Sequence, residues 1–285
     1  MNIQQARQQL LLQLQPIYSG REAENIADWV IEHITTFSKT QCIIHKEAEL
    51  NISQQHQLQL YTSKLMEHMP IQYVLGEVWF YGYPFYVNKH VLIPRPETEE
   101  LVDWIIKTVQ NTTHKPVSIM DIGTGSGCIA ISLKGSIPAA TVTAVDISDD
   151  ALAVAQKNAS KQKVNIDFLK ADFLDSSIWQ QLPTPQILVS NPPYIPYKEK
   201  EGMKENVKEY EPNDALFVPN SNPLIFYEAI ANFALQHMHP DSLLFVEVHE
   251  NYGKDICILW KKMGFGVVLK KDMQGKDRMI KASLL

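Results

Sequence analysis

The sequence has 285 residues, 45% hydrophobic and 20% charged, with 26 Lys+Arg against 32 Asp+Glu and a formal net charge of −6. That balance excludes disordered, collagen-like and coiled-coil chains, and it argues against non-specific gripping of the nucleic-acid phosphate backbone. Cys42, Cys128 and Cys257 are scattered with no CxxC pair, which fits a reducing compartment and gives no zinc pattern; no metal is expected. The Gln-interrupted N-terminus does not read as a signal peptide, and no apolar stretch approaches the ~20 residues of a membrane span. A soluble, cytoplasmic protein is the expectation, with one large domain or two modest ones.

In chain order, apolar residues first recur at helical spacing: Leu10, Leu14, Ile17, then Ile26, Val30, Ile34, then Leu58, Tyr61, Leu65. Residues 1–75 therefore read as a small helical domain. Within residues 1–69 five basic residues face seven acidic ones. Residues 76–94 read as a linker carrying a β-hairpin, aromatic and β-branched from Val78 to Val87, with its turn near Gly82. Its aromatic stripe reads as packing.

From residue 95 to 285 helices and strands alternate. Helices are expected over 97–110, 128–133, 149–160, 222–237 and 253–263. Strands are expected over 117–122, 141–146, 165–170, 186–190, 243–248, 267–271 and 278–282. This alternation predicts an α/β fold with a doubly wound, mostly parallel sheet and ligands at the carboxyl ends of its strands.

Four strand ends carry chemistry. The first is Asp121-Ile-Gly-Thr-Gly-Ser-Gly127, between a strand and a helix. Gly123, Gly125 and Gly127 let the backbone turn sharply and approach a ligand, with Thr124 and Ser126 between them. A dinucleotide fingerprint wants its third glycine where Cys128 stands. A pyrophosphate would be repelled by Asp121, whereas a cationic ligand such as S-adenosylmethionine would not. The second is Asp146, able to accept both hydroxyls of a ribose; an Asp there is also a common helix N-cap. The third is Asp172-Phe173, which suits an adenine amine and ring and reads equally as a solvated turn.

The fourth is Asn191-Pro192-Pro193-Tyr194. Two prolines remove donors and fix the backbone, and Pro192 forces Asn191 into an extended conformation. The Asn191 side-chain oxygen and the Pro192 carbonyl are then two acceptors for one planar NH2 group, with the Tyr194 ring to hold its plane. Gripping both hydrogens aligns the nitrogen with a methyl donor, so positioning lowers much of the barrier. No general base is needed before transfer, because the proton leaves readily once the nitrogen is cationic.

Together the Asp-x-Gly-x-Gly-x-Gly loop, Asp146 and Asn-Pro-Pro-Tyr resemble the class I S-adenosylmethionine-dependent amino-methyltransferases. The likeness is strongest to the HemK-type protein glutamine methyltransferases that modify peptide chain release factors. It extends to Leu92-Ile-Pro-Arg-Pro-Glu-Thr-Glu99, Tyr210-Glu-Pro-Asn-Asp-Ala-Leu216 and Asp272-Met-Gln-Gly-Lys-Asp-Arg278; Glu97 stands where many relatives have Asp.

The resemblance implies a Rossmann-like methyltransferase sheet with an antiparallel C-terminal strand. It implies methyl transfer from S-adenosyl-L-methionine, leaving S-adenosyl-L-homocysteine, to the glutamine amide nitrogen of the release-factor Gly-Gly-Gln loop. Asp121, Gly123–Gly127, Asp146, Asp172, Phe173 and Asn191 would hold the cofactor, Asn191–Tyr194 the glutamine, and Arg95 and Glu247 would brace the site. The helical domain would dock the release factor. A monomer with no stable nucleic-acid or membrane partner is expected. A DNA adenine-N6 or cytosine-N4 methyltransferase is the alternative, but it needs a basic target-recognition region, and Lys198–Lys204 alternates in sign.

Overall fold

The computed structural model describes residues 1–112 and 116–284, which fall into two units: Met1–Glu77 with Lys204–Tyr210, and Val78–Met203 with the chain from Glu211 onward. The first unit is helical: α1 (Ile3–Leu14), α2 (Gly20–Thr35), α3 (Lys39–Ile44), α4 (Ile52–Met66) and α5 (Ile71–Leu75). Asn2, Ser38 and Asn51 start α1, α3 and α4 with capping boxes closed by Gln5, Gln41 and Gln54, so orphan N–H groups at each start are satisfied locally. Leu10, Leu14, Ile26, Val30, Ile34, Leu58, Tyr61 and Leu65 meet in one core. Ile17 lies past the end of α1 and is half-buried, because Pro16 cannot continue the helix. The Tyr210 hydroxyl donates to the Glu67 carbonyl and ties Lys204–Tyr210 to this unit.

The hairpin pairs β1 (Glu77–Phe80) with β2 (Tyr83–Tyr86). Tyr81 and Gly82 at its turn both have positive φ, 48° and 79°, the hand that two-residue hairpins favour. Phe80 and Phe85 are fully buried in the core of the second unit, edge to face. The Tyr81 N–H donates to Glu99 at 2.9 Å in α6 (Pro96–Thr112).

The second unit continues as β3 (Ser118–Ile122), α7 (Cys128–Ser136), β4 (Thr141–Asp146), α8 (Asp149–Gln162), β5 (Asp167–Lys170) and β6 (Ile187–Ser190). Next come the short strands β7 (Ile195–Pro196) and β8 (Phe217–Val218), a parallel pair that the sequence pattern does not foretell. β9 (Leu243–Glu247), β10 (Phe265–Lys271) and β11 (Asp277–Leu284) follow, with helices Ile225–His237 and Gly253–Lys262 on either side of β9. The seven-stranded sheet runs β10-β11-β9-β6-β3-β4-β5. From β9 through β6, β3 and β4 to β5 each pairing is parallel, and β11 runs antiparallel to both β9 and β10. This is the doubly wound sheet with a reversed C-terminal strand that the alternation and the resemblance imply.

Successive strand residues point to opposite faces. Ile187 and Val189 of β6 enter one core, with α6, α7 and the hairpin, while Leu188 enters another, with Tyr227, Phe233 and Trp260. Both faces are therefore covered, as a parallel sheet requires. The helix expected from 222 begins at Ile225: Pro223 keeps Asn222 out of helical geometry, and the Asn222 side chain instead accepts from the Leu224 N–H at 3.2 Å.

Candidate active site

Strand order reverses at β3, which lies between β4 and β6, and a cavity of about 550 Å3 opens beside the carboxyl ends of these strands. Gly123, Thr124, Gly125, Ser126, Asp146, Asp172, Phe173, Asn191, Pro192 and Pro193 line it. Asp121, Gly127 and Tyr194 do not.

The loop after β3 folds over the end of β4: the N–H groups of Gly123 and Thr124 both donate to the Val145 carbonyl, at 2.9 and 3.0 Å. Gly123, Gly125 and Gly127 have φ of 70°, 53° and 79°. A Cβ added at Gly123 or Gly125 meets no protein atom within 4 Å, so the space beside these backbones is open to a ligand. Gly127 differs: its Cβ would lie 3.0 Å from Ile131 Cδ1 and 3.1 Å from Ala155 Cβ, so this glycine serves helix packing.

Asp121 is fully buried beneath the loop. Its Oδ2 accepts from the Thr124 hydroxyl at 2.7 Å, and its Oδ1 has no hydrogen-bond partner among the described residues. Burial pushes its carboxyl up to about 7; the Thr124 hydroxyl opposes that rise and the Asp146 charge adds to it. The geometry thus gives Asp121 to the loop rather than to the cavity wall. Asp146 closes β4, its Oδ2 accepting from the Gly125 N–H at 2.8 Å and its Oδ1 from the Ser148 N–H at 3.0 Å. Burial raises its carboxyl and these N–H groups hold it down. The N-cap of α8 is Ser148, not Asp146.

Asp172 accepts from the Leu174 N–H at 3.0 Å, an Asx turn. The Phe173 ring packs against Phe233 and Trp179, centroids 5.4 and 5.8 Å away, and its carbonyl accepts from the Trp179 indole at 2.9 Å. Phe173 is thus part of a core that reaches the cavity wall.

At the end of β6 the Asn191 Nδ2 donates to Thr98 Oγ1 at 3.2 Å, while its Oδ1 is buried with no partner among the described residues. Thr98 Oγ1 donates to Glu247 Oε2 at 2.6 Å, and the Tyr194 hydroxyl donates to Glu247 Oε1 at 3.1 Å. Burial pushes the Glu247 carboxyl up; Thr98, the Arg278 charge and Tyr194 oppose this. Tyr194 itself faces a second cavity, of about 580 Å3, with His249 and Arg278 in its wall. The tetrapeptide is therefore divided: Asn191, Pro192 and Pro193 on one cavity, Tyr194 on the other. Arg95 lies on the first cavity and donates to Glu211 Oε1 at 2.6 Å, whose Oε2 accepts from the Ile93 N–H at 3.2 Å.

Asn158 escaped the sequence reading. Its amide donates to the carbonyls of Ser126 and Tyr86, both at 2.9 Å, and its Oδ1 accepts from the Tyr86 N–H at 2.7 Å, pinning the glycine loop to β2. An Asn on the buried face of α8, among Leu152, Ala155 and Ala159, was the available signal. Among the described residues no group of three or more His, Cys, Asp or Glu could hold a metal ion, and no helix is long and apolar enough to cross a membrane.

Two family models match the chain: PrmC N-terminal domain over residues 5–76 and Methyltransferase small domain over residues 102–209. A release factor glutamine methyltransferase of Flavobacterium psychrophilum is 42% identical over 285 residues, 99% of each chain. One of Bacteroides thetaiotaomicron is 38% identical over 271 residues, 95% of this chain and 96% of that one. Among solved structures, human methyltransferase 10 domain containing protein aligns over 72% of this chain and 90% of its own, with TM-score 0.50 and 16% identity, a likeness of fold. With relatives this similar over nearly the whole chain, the protein belongs to the release factor glutamine methyltransferase family.

Proposed function

We propose that the protein transfers a methyl group from S-adenosylmethionine to the side-chain amide nitrogen of the glutamine in the Gly-Gly-Gln loop of peptide chain release factors. The observation that carries this reading is Asn191 Oδ1: a buried acceptor with no partner among the described residues, on a proline-locked strand end at the wall of a cavity cradled by glycines. A buried acceptor left unpaired costs about 1–3 kcal/mol, and an incoming amide N–H removes that cost. The names of the relatives, which are glutamine methyltransferases of release factors, support the same substrate.

The residues present fit the cofactor. The cavity volume lies within the ~300–1,000 Å3 of small-ligand sites. Asp146 stands at its wall with a carboxylate able to accept ribose hydroxyls, and the open space beside Gly123 and Gly125 admits a ligand against the backbone. When bound, S-adenosylmethionine supplies an electrophilic methyl carbon on a sulfonium. Asn191 accepts an N–H of the glutamine amide and so fixes its plane, and positioning of this kind lowers the barrier without a charged base. Pro192 and Pro193 keep that acceptor from moving, since their backbone dihedrals are locked. The amide nitrogen would gain the methyl carbon as that carbon's bond to sulfur breaks, leaving the neutral thioether S-adenosylhomocysteine, and would lose a proton to solvent.

Incubating the protein with methyl-labelled S-adenosylmethionine and either a release factor or duplex DNA tests this. Label is expected on the release factor, at its Gly-Gly-Gln glutamine; label on DNA, or on neither, overturns the reading.

A further inference from the structure

The Asn191 amide has two ends of nearly equal shape and opposite hydrogen-bonding character, and only one of them suits a substrate N–H. We infer that Thr98, itself oriented by Glu247, fixes which end of the Asn191 amide faces the cavity. The inference rests on the glutamine-methyltransferase reading above and names positioning residues for it.

The argument follows the hydroxyl proton. Thr98 is 2% exposed and its Oγ1 has two partners, Glu247 Oε2 at 2.6 Å and Asn191 Nδ2 at 3.2 Å. Thr98 Oγ1 donates to Glu247 Oε2, and the other Glu247 oxygen accepts from Tyr194, so the single Thr98 proton is committed to Glu247. The hydroxyl then has only lone pairs to offer Asn191, and an oxygen placed there would face another oxygen. The amide must turn its NH2 toward Thr98 and its Oδ1 away, where it has no partner among the described residues.

Glu247 is held in place for this. It is 1% exposed at the end of β9, its other oxygen accepts from the Tyr194 hydroxyl at 3.1 Å, and its backbone carbonyl accepts from the Tyr227 hydroxyl at 3.0 Å. A sequence of three acceptor–donor choices, beginning at a buried carboxylate, therefore sets the polarity of the group that meets the substrate. Without the Thr98 hydroxyl the Asn191 NH2 loses its anchor, both amide orientations become populated, and the wrong one presents two hydrogens to a substrate NH2.

Turnover and cofactor affinity of full-length Thr98→Val, Thr98→Ser, Asn191→Ala and Thr98→Val/Asn191→Ala, with a release factor as substrate, test the inference. Thr98→Val keeps the shape and removes the hydroxyl; kcat is expected to fall roughly 10–100-fold, with cofactor Kd from calorimetry within about twofold of wild type. Thr98→Ser restores the hydroxyl and is expected to turn over within about threefold of wild type. In the Asn191→Ala background Thr98→Val is expected to cost nothing further, because the amide it orients is gone. Wild-type turnover in Thr98→Val, a Thr98→Ser variant as slow as Thr98→Val, or the same fold-loss with and without Asn191 would each overturn it. If Thr98→Val does not fold, Thr98→Ala carries the same cycle. A wild-type protein that labels no release factor defeats the functional reading instead, so the two failures are distinct.

Discussion

Asp121 and Asp146 are both carboxylates closing neighbouring strands, yet their surroundings give them different work. Asp146 lies on the cavity wall with both oxygens bonded to backbone N–H groups, so it can hold a ligand hydroxyl while keeping the Gly125 and Ser148 amides in place. Asp146→Ala is expected to weaken S-adenosylmethionine binding by about 1.5–3 kcal/mol, the scale of a lost charge-assisted bond. Unchanged affinity by calorimetry would remove Asp146 from the site. Asp121 has no such access, and its effect is on stability. With its folded-state pKa raised to about 7, the folded protein keeps a proton that the unfolded chain releases near pH 4. Its favourable contribution is therefore complete below the unfolded value and is lost as pH rises toward about 7. Asp121→Asn removes that dependence. Relative to Asp121→Asn, wild type is expected to lose on the order of 2 kcal/mol between about pH 5.5 and 7, measured by urea unfolding. Parallel pH profiles for the two proteins would contradict this.

At the scale of elements, the strand–loop–helix unit from β3 through α7 is held by close packing at its far end. Gly127 has φ of 79° and lies where a methyl group would meet Ile131 and Ala155 at 3.0–3.1 Å, with the Ala155 backbone behind them at 3.3 Å. Gly127→Ala combines left-handed strain with overpacking against α8 and is expected to destabilise the protein by about 2–4 kcal/mol. Gly123→Ala meets strain alone and is expected to cost less in thermal unfolding; equal costs would show that the α7–α8 contact is not the constraint. Much of this architecture is legible in the sequence, because strands buried on both faces and helices with one apolar face carry their periods openly: Ile187–Ser190 and Leu243–Glu247 are near-continuous apolar runs, as a covered parallel sheet demands. The glycine spacing and the proline pair are equally open, since each restricts the backbone by itself. What stays hidden depends on partners far along the chain. β7 and β8 are two residues each, too short to show a period, and are 22 positions apart. Thr98 finds Asn191 and Glu247 across 93 and 149 positions, and Asn158 finds Ser126 across 32. No local pattern announces such contacts, so the division of Asn191 and Tyr194 between two cavities and the withdrawal of Asp121 from the wall could be read only from the fold.

For the whole molecule the relevant fact is that each unit has an apolar core of its own. The helical unit closes around residues between Ile3 and Val74, and the sheet unit closes around residues between Phe80 and Ala282. Burial of apolar surface is the main stabilising term, so a chain lacking residues 1–75 retains every buried apolar residue of the sheet unit. We propose that the chain separates its tasks, with chemistry in the sheet unit and docking of a large protein substrate on the helical one. In that proposal the acidic balance of the helical unit suits a protein surface better than nucleic acid. The deletion has one side effect: Lys204–Tyr210 packs with the helical unit and loses its support, and it lies in the chain between Asn191 and Glu211. Activity alone therefore cannot separate lost docking from a disturbed site. The ratio of two substrates can, because damage to the site slows both alike while lost docking slows only the one that docks. Comparing the full chain with the deletion, kcat/KM for an intact release factor is expected to fall at least roughly tenfold further than kcat/KM for a short Gly-Gly-Gln peptide, the scale of about 1.4 kcal/mol of contact energy. Equal losses on the two substrates would place all recognition in the sheet unit and leave the helical unit with no part in docking.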